Sequence, residues 1–185
     1  MNLSLFIVVL GGRSLKSNIE IHDVRWVLGE SIEDTFPELR KQWLGKITGL
    51  HIDSYKCIKY VDGYKIIISK SRRDNLDNSK KEEDKLWFVN LGGYDPKKMY
   101  EEHEFKLIVA KKAADAKKNA RNNWVSKLNY IHNDDCSGIK NFDQIDDIHP
   151  IREIKGYQIK LIYDPERRKD KLLPDWYGYM RIDKI

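Results

Sequence analysis

Cysteine is nearly absent: Cys57 and Cys136 are the only two in 185 residues. They do not fall at matching places in the repeat described below, which excludes a duplicated disulfide framework and suits reduced thiols in a cytoplasm. No apolar run approaches the roughly 20 residues that a membrane-crossing helix needs. The apolar start Leu3 to Leu10 lacks a basic leader and a small-residue cleavage site, and a near twin of it lies in mid-chain at 86–91, so it reads as a strand and not a targeting signal. Charge of one sign is also missing. Thirty-four Lys and Arg are interspersed with 29 Asp and Glu for a net +5, a weak case for a polyanionic partner. There is no His-Glu-x-x-His, no Gly-x-x-x-x-Gly-Lys and no Gly-x-Ser-x-Gly, which leaves metalloprotease, phosphate-loop and nucleophile-elbow chemistry without support. The expected protein is soluble and cytoplasmic, with no membrane partner.

What the chain does have is a copy of itself. Residues 5–53 align without a gap on 86–134 at an offset of 81, with 14 identities in 49 positions. The identities are chemically selective: Gly11-Gly12 with Gly92-Gly93, Glu20 and His22 with Glu101 and His103, Arg40 and Trp43 with Arg121 and Trp124, His51 and Asp53 with His132 and Asp134. Each copy alone is close to the size at which a single core is marginal, so the two are expected to share one.

Each copy opens with an almost continuous apolar run, the signature of a central strand, ending in Gly-Gly read as a tight turn. The next segment alternates. Glu20, His22, Val24, Trp26 and Leu28 share one face, as do Glu101, His103, Phe105, Leu107 and Val109, giving a strand with one side on the core and the other in water. Ile32, Phe36, Leu39 and Trp43 then recur at helical spacing after a Ser31/Asp34 capping box, with regular turns expected from Asp34 or Thr35 because of Pro37. Ala113, Ala120 and Trp124 repeat that register. His51 to Val61 and Tyr64 to Ser69 read as strands turning at Asp62-Gly63, and Lys155-Gly156 precedes Tyr157 to Tyr163 in the second copy after an insertion at 135–150. The division is 1–69 for the first repeat, 70–85 for a charged linker, 86–163 for the second repeat and 164–185 for an extension docking on the body. The fold class is α+β: two ββαββ-type repeats with pseudo-two-fold symmetry, mainly antiparallel sheet, one helix per repeat.

Leu-Gly-Gly, the His-Asp-Val and His-Glu-Phe segments, Ser31-Ile-Glu-Asp34, Leu50-His-Ile-Asp-Ser54, Asp62-Gly-Tyr64 and Val89-Asn-Leu-Gly-Gly-Tyr94 together resemble the bacterial family of domain of unknown function 1543, which carries one or two copies per chain. The resemblance covers most of residues 3–163 and implies a small bacterial protein. It implies no activity, cofactor or catalytic residue.

The residues that could carry chemistry are the duplicated ones. Glu20 stands two residues before His22 and Asp53 two residues after His51, spacings that place each pair on one strand face. Glu101 with His103 and Asp134 with His132 repeat them. Brought together, two imidazoles and two carboxylates suit a divalent metal or acid–base work. A core histidine bonded to a carbonyl, serving only to fix register, explains them as well. Arg40 and Arg121, three residues before a tryptophan, either tie the helix to Asp53 and Asp134 or face an anionic ligand. The basic residues Lys111, Lys112, Lys117, Lys118, Arg72, Arg73, Arg167 and Arg168 are diluted by neighbouring acids. Trp176, Tyr177, Tyr179 and Arg181 are better explained as a docked terminal strand than as a single-strand platform, so nucleic acid is disfavoured. The sequence favours a non-catalytic ligand-binding or interaction module, placed where the two repeats meet, over a divalent-metal enzyme. Cofactor, ligand and self-association stay open.

Overall fold

The computed structural model describes residues 2–70, 83–93, 97–124 and 148–184. The first copy begins with β1 (Ser4–Gly12) and β2 (Ile21–Gly29), continues through a 3-10 turn (Glu33–Thr35) into α1 (Phe36–Gln42), and closes with β3 (His51–Ile58), β4 (Tyr60–Val61) and β5 (Tyr64–Lys70). The apolar run makes β1 central, with β2 and β3 antiparallel on its two sides. Ser31 and Asp34 form the expected reciprocal box, Ser31 N donating to Asp34 Oδ2 at 2.8 Å and Asp34 N to Ser31 Oγ at 3.4 Å. It precedes the 3-10 turn. The α-helix waits until Phe36, so that Pro37 falls in its first turn, where a missing N–H costs nothing.

The second copy supplies β6 (Lys85–Gly93), β7 (Glu102–Ala110), α2 (Ala113–Trp124), β8 (Ile148–Ile151), β9 (Glu153–Ile154) and β10 (Tyr157–Tyr163), and β11 (Trp176–Arg181) follows. β6 and β7 pair in the register of β1 and β2: Leu86 faces Val109 as Leu5 faces Leu28, and Gly92 faces His103 as Gly11 faces His22. The described residues form three antiparallel sheets, β11-β3-β1-β2, β7-β6-β8 and β4-β5-β10-β9, with two helices, an α+β architecture.

Alternation along the central strands builds three packed regions. Phe6, Val8 and Leu10 of β1 meet Ile32, Phe36, Leu39 and Trp43 beneath α1. Leu5 and Ile7 point the other way, into a core shared with Leu86 and Phe88 of β6 and with Val61, Ile66 and Ile154 of the third sheet. Trp87 and Val89 face Ala116 and Ala120 of α2. At about 1.5–3 kcal/mol for each large apolar side chain fully buried, the shared middle layer is a principal source of stability. Trp26 and Phe88, 5.0 Å apart between ring centroids, join the copies there.

β5 and β10 pair along their whole length, Tyr64 opposite Tyr163 and Lys70 opposite Tyr157, so the third sheet runs continuously from one copy into the other. The turns of its two hairpins, Asp62-Gly63 and Lys155-Gly156, hold both residues at positive φ (50° and 84°, 51° and 76°), as a two-residue hairpin turn of this hand requires. Each turn reaches the opposite copy: Asp62 Oδ2 accepts from Val109 N at 3.0 Å, and Lys155 Nζ meets Glu38 Oε2 at 2.6 Å.

Two expectations need correction. Gly11-Gly12 and Gly92-Gly93 are not turns; they are the last residues of β1 and β6 and stay paired with β2 and β7. β2 does not have one wet face. Val24, Trp26 and Leu28 pack on the second copy as expected, but Val27, on the side that alternation assigns to solvent, is buried under α1. Cys57 is a free, half-buried thiol packed against the core beneath α1, and Cys136 lies outside the described residues.

Candidate functional site

β1 ends in glycine between two histidines. Gly11 is paired with His22 on β2 and with His51 on β3, so both imidazoles stand on the sheet face that carries Leu5 and Ile7 further along. The β1–β3 register shifts between Val9 and Leu10, which leaves Asp53 as an extra residue in β3. Such a bulge re-aims a side chain. Glu20 enters from the residue preceding β2.

The four side chains close into a ring in which carboxylate and imidazole alternate. Asp53 reaches His51 Nε2 with Oδ1 at 3.2 Å and His22 Nε2 with Oδ2 at 3.3 Å. Glu20 reaches His51 Nε2 with Oε1 at 3.4 Å and His22 Nε2 with Oε2 at 3.9 Å. His51 is 1% exposed and forms the floor; His22, 55% exposed, is the outer member. His22 and His103 are therefore not buried in the core: their side chains are 55% and 54% exposed.

The space for this ring is made by glycine. A Cβ on Gly11 would overlap His51 Nε2 and would lie 2.9 Å from both His51 Cε1 and Asp53 Oδ2. A Cβ on Gly12 would lie 2.8 Å from the Trp43 ring.

The proton inventory of the ring is unusual. His51 Nδ1 donates to the carbonyl of Gly49 at 2.8 Å. A neutral ring bonded that way turns the lone pair of Nε2 toward two carboxylates. Asp53 Oδ2 is buried and, although 3.3 Å from His22 Nε2, accepts no hydrogen bond among the described residues, and leaving a buried acceptor unmet costs about 1–3 kcal/mol. Among the described residues neither Glu20 nor Asp53 has a Lys or Arg ion-pair partner; their partners are the histidines. The ring is rich in acceptors and poor in positive charge. As it stands its members pair with one another, and among the described residues no group of three or more His, Cys, Asp or Glu is arranged to hold a metal ion.

The second copy repeats the outer half. His103 Nε2 lies 3.9 Å from Glu101 Oε2, the separation found for His22 and Glu20, and Asn90, in the place of Val9, bonds His103 Nδ1 at 3.3 Å. Glu101 lies over Gly92, where His51 and Asp53 lie over Gly11. His132 and Asp134 are outside the described residues, as are the side chains of Arg121 and Trp124. Arg40 donates to the carbonyl of Ile182 at 3.1 Å and so ties α1 to the C-terminal segment.

Sequence reasoning missed three contributors. Gly49 supplies the carbonyl that sets the His51 tautomer. Tyr179 of β11 lies over the His51 ring, centroids 4.0 Å apart. Asp183 accepts from Gly49 N at 2.8 Å. The aromatic content of 176–179 was the only signal toward them, and it pointed to docking alone.

The crystal structure of protein Il1583 from Idiomarina loihiensis is similar to this chain, with a TM-score of 0.71 and 29% identity over 97% of each chain. None of the curated proteins matches. The model for Domain of Unknown Function (DUF1543) matches residues 17–68 and again 98–147, two stretches that start at equivalent places in the two copies and together make up more than half of the sequence. On that match the chain belongs to the DUF1543 family, in a two-copy form.

Proposed function

We propose that the protein is a non-catalytic binding module whose ligand site is the Glu20, His22, His51 and Asp53 ring of the first copy, and that the ligand is a small cation. The observation that carries this is Asp53 Oδ2, buried beside a second carboxylate with no hydrogen bond and no Lys or Arg supplied to either among the described residues. A bound positive charge would satisfy that oxygen and the lone pair on His51 Nε2 together. A divalent-metal enzyme draws on the same four residues, and the His51 tautomer favours it, since a metal-binding imidazole commonly gives its other N–H to a carbonyl. It needs the ring members to turn toward a common point, so it forms the metal arm of the same test.

We further place the two copies, 1–69 and 86–163, about an approximate two-fold passing between Ile67 and Lys160, the central pair of the β5–β10 ladder; the matching registers support this. The free Cys57 thiol and a relative in Idiomarina loihiensis support a bacterial cytoplasmic protein. Among the described residues no helix is long and apolar enough to cross a membrane.

The test is calorimetry of the full chain with zinc, manganese and ethylammonium in turn, repeated on Asp53→Asn and Glu20→Gln. One equivalent of at least one cation should bind, and both variants should lose it. Heats indistinguishable from dilution for all three cations would end the reading.

A further inference from the structure

β11 pairs with the outer edge of β3, Trp176 opposite Tyr55 and Arg181 opposite His51. Its register shifts between Tyr177 and Met180, opposite the Ser54–Ile52 step at which the β1–β3 ladder also shifts. Both neighbours of β3 thus break at Asp53. A strand that only covered an edge would gain nothing from an interruption that costs ladder hydrogen bonds. This one carries Gly178 at φ 149°, a conformation open to glycine, and sets the next side chain, Tyr179, on His51 with ring planes 34° apart.

Beyond the strand the chain turns back toward the same histidine. Ile182 N donates to Leu50 O at 3.0 Å, and the Ile182 side chain is fully buried under α1. Asp183, its side chain 3% exposed, is gripped by Arg181 at 3.0 and 2.6 Å. Arg181, and after it the bond from Gly49 N, hold its carboxyl well below the usual carboxylate range. Gly49 is thereby fixed at both ends: its N–H on Asp183 and its carbonyl under His51 Nδ1, each at 2.8 Å, with φ at 84°.

We infer that the C-terminal strand is a working part of the first-copy site: Asp183 is a positioning residue that sets the His51 tautomer through Gly49, and Tyr179 closes the exposed face of that ring. Among the described residues, no segment of the second copy matches this strand. The strand's role rests on the proposed site for its meaning in binding, while the positioning itself stands on the geometry of His51.

The experiment is long-range proton–nitrogen NMR of the histidine rings in the full-length protein, with the His51 signals assigned by their loss in His51→Asn. The parent should show His51 protonated at Nδ1. In Asp183→Asn and in Tyr179→Leu the ring nitrogens should move toward a mixture of tautomers, whereas Tyr177→Leu, which alters an outward neighbour on the same strand, should leave them in place. Ring signals unchanged in folded Asp183→Asn and Tyr179→Leu would overturn the inference. Should Asp183→Asn not fold, Tyr179→Leu decides it alone. A zinc titration of the same samples adds a second readout, with affinity expected to fall by at least about tenfold in both variants, as when a partner one bond removed from a ligand is lost. A parent that takes up no cation removes the binding reading, and the ring signals still decide the positioning.

Discussion

Replacing Gly11 by alanine is the sharpest test of how the ring is built. The added methyl would enter the space of His51 Nε2 and come within 2.9 Å of Asp53 Oδ2, closer than real Cβ contacts. The imidazole cannot withdraw. It is 1% exposed, its Nδ1 is bonded to Gly49 at 2.8 Å, and Tyr179 covers one face. Forcing a methyl into so closed a site costs about 1–3 kcal/mol. At 2–4 °C per kcal/mol for a chain of this size, the melting temperature should fall by roughly 2–12 °C. Urea unfolding followed by circular dichroism should show a lower midpoint with the slope unchanged. The decisive comparison is the double-mutant cycle with His51→Ala. If the methyl is costly because the ring is there, its penalty should shrink by at least ~1 kcal/mol once the ring is gone. A Gly11→Ala protein within about 0.5 kcal/mol of the parent, or a penalty equal in both backgrounds, would refute the reasoning.

Two further outcomes follow from the packing and from the ion pairs. Phe88→Ala removes the β6 ring that touches Trp26 and Phe105 in the shared core and should cost about 3–5 kcal/mol, seen as a single cooperative unfolding transition at lower denaturant; two separate transitions would show that the copies do not share a core. Arg168, bonded through its guanidinium to both oxygens of Asp164, lowers that carboxyl to about 2. A depressed folded-state pKa gives stability present above the unfolded value near 3.9 and lost as pH falls from about 4 toward 2. Arg168→Leu should flatten that part of an acid titration, and parent and variant curves that run parallel there would contradict it.

Much of the architecture was legible because period and turn chemistry agreed. The apolar runs gave β1 and β6, Asp62-Gly63 gave the hairpin turn, and the spacing of Phe36, Leu39 and Trp43 gave the buried helical face. The errors have one physical source: alternation along a single strand shows which side chains share a face but not what lies opposite. The face of β2 carrying Val27 was read as wet and is covered by α1, and on the core face His22 is 55% exposed. Likewise Gly11-Gly12 looked like a turn because glycine serves turns and close approaches alike; the imidazole that needs the space comes from forty residues further on. In the candidate site the pairing of Glu20 with His22 and of His51 with Asp53 was readable from two-residue spacing. Their meeting was not, since it depends on a bulge at Asp53. Gly49 acts through its main-chain N–H and carbonyl, and Asp183 acts on that N–H, so neither partner is marked by a side-chain pair in the sequence.

The ladder between β5 and β10 has a consequence for the origin of such a chain. Tyr64 and Tyr157 each follow the glycine of a hairpin turn, and each pairs with the last residue of the opposite strand, which is the arrangement a strand adopts with a second molecule of its own kind. A one-copy ancestor would have made this contact as a homodimer whose survival depended on its concentration. Fusing two genes end to end puts the partner edge at an effective concentration in the millimolar range. Once dilution could no longer undo the pair, the halves were free to differ, and a change in one half would leave the assembly intact.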